Sequence, residues 1–119
     1  MDTLMLTAHI NDTSKIYSWN FYVEILPDYP YSNIWLFVSM KSPDGTLNTD
    51  TLDFTLADNK GEWYGTHHDE YTLSRNQILP CMKYKSPGEY KLSIVQGMRT
   101  DNLKGIRNIE LNLIACKKQ

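Results

Sequence analysis

The sequence predicts an all-β chain: an antiparallel two-sheet β-sandwich, immunoglobulin-like or jelly-roll-like, of about seven or eight strands with little helix. Three observations carry this expectation. Apolar and polar residues alternate with a period of two in four separate windows, the pattern of strands with one wet face. No window holds a convincing 3.6-residue apolar stripe. Turn-forming residues fall between the windows at hairpin-like spacing, which argues for antiparallel neighbours.

Taken in order, Leu4–Ile10 is a weak strand candidate. Tyr17, Trp19, Phe21, Val23 and Ile25 then alternate with Ser18, Asn20, Tyr22 and Glu24. Next comes Asp28-Tyr29-Pro30-Tyr31-Ser32-Asn33, a turn that Pro30 stiffens by fixing its own φ and extending Tyr29. It leads into Ile34-Trp35-Leu36-Phe37-Val38, the longest unbroken apolar run. Because both parities are apolar there, this strand is expected to be covered on both sides, the added cover coming from a long loop or from a partner. Leu52, Phe54 and Leu56 form the next inward set, then Tyr90, Leu92 and Ile94, then Ile109, Leu111 and Leu113; Gln77–Tyr84 is a weaker strand. By parity Trp19, Phe21, Phe37, Phe54 and Tyr90 are expected in the core.

Ser42-Pro43-Asp44-Gly45 suits a type I turn, Asn59-Lys60-Gly61 another reversal, and Ser86-Pro87-Gly88 a type II turn. Tyr90, just after the last of these, is placed to pin a sandwich corner. Residues Gly65 to Asn76 lack any sustained period and read as a long loop. Gly97 to Gly105 reads as a second long reversal.

At 119 residues the chain is expected to form a single domain over 1–119 with a core of its own. A net charge of −2 gives no bulk attraction to nucleic acid or to an anionic membrane. No run reaches the length of a membrane span. The start, Met1-Asp2-Thr3-Leu4-Met5, lacks the basic and apolar parts of an export signal, so the protein is either cytosolic or begins after a removed one. Cys81 and Cys116 have no metal-ligand spacing; two free, largely buried thiols are expected, a bridge requiring adjacent strands.

Candidate chemistry is sparse. His67-His68-Asp69-Glu70 stacks metal-ligand residue types, but neighbours on an extended chain point to opposite sides and the other histidine is His9. A solvated loop is the reading there, and no metal is expected. No Gly-x-Ser-x-Gly elbow, phosphate cradle or paired carboxylates appear, so no catalytic residue and no cofactor is predicted. The surplus is aromatic: Tyr29, Tyr31, Trp63 and Tyr64 lie in or beside turns, where they plug the sandwich ends or offer rings to a partner protein or a glycan. Arg99, in the second long reversal, completes the candidate interaction surface, although a lone arginine more often pairs with a carboxylate or orphan carbonyls.

Asp28-Tyr29-Pro30-Tyr31-Ser32-Asn33-Ile34-Trp35-Leu36-Phe37-Val38 resembles the signature of the gliding motility-associated lipoprotein GldH family of Bacteroidetes. The likeness continues, in family order, through Ser42-Pro43-Asp44-Gly45, Gly61-Glu62-Trp63-Tyr64-Gly65, Pro87-Gly88-Glu89-Tyr90, Gln96-Gly97-Met98-Arg99 and Leu103-Lys104-Gly105-Ile106. The resemblance implies an exported, non-enzymatic lipoprotein of the cell envelope, facing the periplasm. It would be held to the membrane by a lipid anchor absent from this sequence and work with envelope proteins of the gliding or secretion machinery. It implies too that Met1 stands in place of a natural leader, and it carries over no catalytic residue. The alternative is a carbohydrate-binding module using the end-loop aromatics.

Overall fold

The computed structural model of the protein describes residues 3–98 and 103–117. Its strands are β1 (Leu4–Ile10), β2 (Ile16–Ile25), β3 (Asn33–Lys41), β4 (Leu47–Thr55), β5 (Thr66–His67), β6 (Thr72–Lys83), β7 (Gly88–Gln96) and β8 (Ile106–Cys116), with no helix among the described residues. They form two four-stranded sheets, β1-β7-β3-β4 and β5-β6-β2-β8, antiparallel throughout. The all-β sandwich expected from the alternation is what forms.

The core is the set of inward parities. Trp19, Phe21, Val23 and Ile25 from β2 meet Ile34, Leu36, Val38 and Met40 from β3 and Tyr90, Leu92 and Ile94 from β7, all buried. Phe21 and Phe54 meet edge to face at 4.7 Å, joining β2 of one sheet to β4 of the other. The wet face expected of β2 is drier than its residue types imply. Ser18 and Asn20 are buried because β2 is central in its sheet, and Asn20 Nδ2 donates to Ser18 Oγ and to Asn112 Oδ1 on β8. These bonds satisfy polar groups that would otherwise be costly to enclose.

Only one of the three predicted turns joins neighbouring strands. Ser42–Gly45 closes the β3–β4 hairpin, with Gly45 N–H donating to Ser42 O at 2.9 Å and Thr46 N–H to Asp44 Oδ1 at 2.9 Å. Asn59–Gly61 lies in the crossing from β4 to β5, and Ser86–Gly88 in the crossing from β6 to β7, each passing between sheets. Tyr90 pins the second crossing as expected: its ring is buried and its hydroxyl donates to Ser86 O at 2.6 Å. Gly105 makes the closest backbone approach. It sits at φ +90°, its carbonyl accepts from Leu26 N–H at 2.8 Å, and a Cβ there would lie 2.4 Å from Tyr29 Cα. Gly105→Ala should therefore cost about 2–3 kcal/mol by chemical denaturation, combining left-handed strain with a forced backbone shift.

Three expectations are corrected. The stretch 65–76 is not one loop: it holds β5 and the first five residues of β6. Its alternation is hidden because the inward positions Thr72 and Ser74 are polar yet buried. β3 is covered on one side only, so Trp35 and Phe37 are 41% and 53% exposed. Finally, Cys81 and Cys116 are bridged, with Cα atoms 6.1 Å apart. The bridge joins β6 to β8 across β2, which separates them in the sheet. Against β2, β6 carries one extra residue between Leu79 and Met82 and another between Gln77 and Leu79, so β6 bulges and bends at this end.

Candidate interaction surface

The outer faces of the two sheets differ in chemistry. Beyond the β2 sheet the outward residues are Ser18, Asn20, Tyr22 and Glu24, set beside Arg75, Glu110 and Asn112. Arg75 lies over the Tyr22 ring at 5.6 Å, and the surface is mostly polar, with Ile114 exposed opposite Ser18 at its end. Beyond the β3 sheet stand Trp35 and Phe37, two residues apart on one strand and therefore side by side. Val95 of β7 is opposite Phe37, and Met5 of β1, 62% exposed, extends the apolar ground past Ser93.

The chain after β7 completes this surface. Gly97 N–H donates to Trp35 O at 2.6 Å, and Trp35 N–H points to Met98 Sδ at 3.3 Å. A Cβ on Gly97 would press at 3.3 Å on the Phe37 ring and on Trp35 Cβ, so only a bare backbone lets the rings lie as they do. Trp35, Phe37, Thr51, Gly97 and Met98 together line an open hollow of about 520 Å³. A tryptophan, a phenylalanine and a methionine around such a hollow give apolar area and polarisable sulfur, the composition of protein-binding hot spots. No titratable group in this hollow offers acid, base or nucleophile.

The aromatics singled out in the sequence lie elsewhere, beside the β2–β3 and β4–β5 connections. Tyr29 is buried, and its hydroxyl donates to Asn33 O at 2.6 Å. Burial, reinforced by Tyr31 and Asp53, pushes its ionisation far above the ordinary tyrosine range. Tyr31 packs on it edge to face at 5.6 Å with planes 77° apart; Trp63 follows at 6.0 Å and 50°. Tyr31 and Tyr64 are exposed, Trp63 half-buried. Neither Tyr31 nor Trp63 is coplanar with Tyr29, so these three rings do not form a flat platform of the kind a sugar ring stacks on. Arg99 lies outside the described residues. Trp35 and Phe37 were missed as surface residues because an apolar residue in a strand reads as core whichever side it faces.

His67 and His68 are held by their own neighbours. His67 Nδ1 lies 2.9 Å from Thr72 Oγ1, and His68 stacks on Tyr71 at 4.6 Å. Arg107 lies over the same Tyr71 ring at 4.0 Å, with Glu24 at 2.9 Å and Glu70 at 3.7 Å. Hydrogen bonding to Glu24 raises the Arg107 pKa further. No group of three or more metal-ligating side chains converges among the described residues.

Comparison with known proteins gives these features a context. The family model described as "GldH lipoprotein" matches residues 1–113. A protein of Christiangramia forsetii named "Gliding motility lipoprotein GldH homolog" is 32% identical over 100 residues, covering 83% of this chain and 62% of that protein. A protein of Flavobacterium johnsoniae named "Gliding motility lipoprotein GldH" is 28% identical over 102 residues, with the same coverage of 83% and 62%. The chain thus spans about three-fifths of the length of these curated relatives. No solved structure matches it. On a match extending over nearly the whole chain, the protein belongs to the GldH lipoprotein family.

Proposed function

We propose that this chain is the folded domain of an envelope lipoprotein associated with gliding motility, and that it works by docking to other envelope proteins and not by catalysis. The domain faces the periplasm, and a lipid anchor outside this chain holds it to the membrane. The observation that carries the docking reading is the exposed Trp35–Phe37 pair on an otherwise one-sided sandwich. Two aromatic side chains kept side by side in water, in a chain whose other outer face is mostly polar, support a surface reserved for a protein partner. The Cys81–Cys116 bridge supports export, since such bonds persist in oxidising compartments and are rare in the cytosol. The names of the two relatives, both gliding motility lipoproteins, support the anchor and the process.

The test is capture by the full-length, membrane-anchored protein in its own envelope, comparing wild type with Trp35→Ser/Phe37→Ser. Both residues are substantially exposed, so the double variant should stay within about 1 kcal/mol of wild-type stability. Truncating paired aromatic anchors should lower affinity at least about 30-fold, enough to empty the partner from the capture. An unchanged set of captured envelope proteins would refute the docking surface.

A further inference from the structure

The side of the sandwich formed by β4 and β6 is open. Among the described residues β4 pairs with β3 alone, and β6 pairs with β5 only at Thr72 and Leu73, so both strands carry free backbone edges there. Between them runs a trough of about 570 Å³ whose apolar lining includes Val38, Met40, Leu52, Ile78 and Tyr90. The β6 edge is interrupted by Pro80, which has no N–H to give; β4 has no proline.

We propose that β4 receives an extended, basic segment of a partner protein by strand addition, with the segment's alternate apolar side chains entering the trough. The hydrogen-bonding groups needed are already turned outward. Thr51 N–H donates at 2.8 Å to the Asp50 carboxylate, so it faces the free edge and not β3. By antiparallel alternation Thr49 and Asp53 present their backbone groups the same way. The Asp50 oxygen thus occupies the place of an incoming strand's carbonyl.

Charge selects the occupant. From Ser42 to Asn59 the chain carries Asp44, Asp50, Asp53 and Asp58 and no lysine, arginine or histidine. Lys83 and Lys85 stand on the opposite wall and Lys41 is opposite Leu47 at the start of β4, so the carboxylates without a base beside them on the strand are Asp50 and Asp53. A second copy is disfavoured: antiparallel self-pairing of β4 centred on Thr51 sets Asp50 against Leu52 and Asp53 against Thr49, which doubles the carboxylates along the joined edge and brings no base to them. Asp50 lies at a core-facing parity, opposite Val38, where a wholly apolar strand would leave it unpaired and a lysine or arginine would satisfy it.

This inference rests on the docking reading but uses the backbone edge of β4, which adjoins the Trp35–Phe37 hollow at Thr51; slowed amide exchange along that edge distinguishes the two, and its absence would leave capture through Trp35 and Phe37 untouched. The test is nuclear magnetic resonance titration of the isotope-labelled chain with a nine-residue peptide of alternating lysine and leucine in which one leucine is replaced by lysine, so that one charge stands on the trough-facing side against Asp50. A companion peptide carries methyl groups on alternate backbone amides and cannot pair. The expected result is saturable shifts and slowed hydrogen exchange at Thr49, Thr51 and Asp53. Affinity should fall at least about tenfold for the methylated peptide and for Asp50→Lys. Asp50 is exposed, and unchanged core amide positions will confirm that the variant folds. Equal binding of both peptides, shifts confined to the Trp35–Phe37 face, or absence of saturable shifts would overturn the proposal. So would dodecanoate filling the trough while the peptide leaves β4 unmoved.

Discussion

Phe21→Ala is expected to cost about 3–5 kcal/mol, measured as the loss of unfolding free energy in urea. Phe21 is wholly buried in the central strand β2, and its ring meets Phe54 of the opposing sheet edge to face at 4.7 Å. Removing it deletes a large apolar side chain, leaves a cavity between two hydrogen-bonded sheets that collapse poorly, and abolishes the only aromatic contact described between β2 and β4. A domain of this size has a total stability of about 5–15 kcal/mol, so the variant should be marginal at ordinary growth temperatures. Phe21→Leu keeps much of the volume and should lose distinctly less. Equal losses for the two variants would mean that the ring is not what holds the sheets together.

Cys81→Ser/Cys116→Ser is expected to lose about 4 kcal/mol by the same measurement. The bond closes a loop of sequence separation 35, and constraining a loop of that length in the unfolded chain is worth about this much in the loop-entropy relation. The sharper check is comparative. Wild type measured in a thiol reductant should fall to the stability of the double variant, while the variant itself should not respond. A wild type indifferent to reductant would remove the structural support for export that the bridge supplies.

Most of the fold was legible because strand identity is a local matter. Trp19, Phe21, Val23 and Ile25 recur every second residue, and all four lie in the core. The same reasoning missed the start of β6, where the inward positions are Thr72 and Ser74 and the period of hydropathy vanishes although the period of the pleat does not. It also read Ser86–Gly88 as a hairpin. A turn residue reports a reversal of the chain, but not whether the next strand joins the same sheet. The aromatic stretch through Tyr29 and Tyr31 was legible as a rigid turn; its apolar continuation was legible as a strand but not as a surface.

What the sequence determined alone was which residues form strands and which side chains share a face, because the backbone period of two acts within each segment. Which faces find cover was decided only by tertiary structure. Two sheets packed together have just two inner faces, and no helix or long loop among the described residues lies over the outer side of β3. Trp35 and Phe37, as apolar as their neighbours, therefore stay in water. The meeting of Cys81 and Cys116 was decided in the same way, by strands distant in sequence being brought to either side of β2.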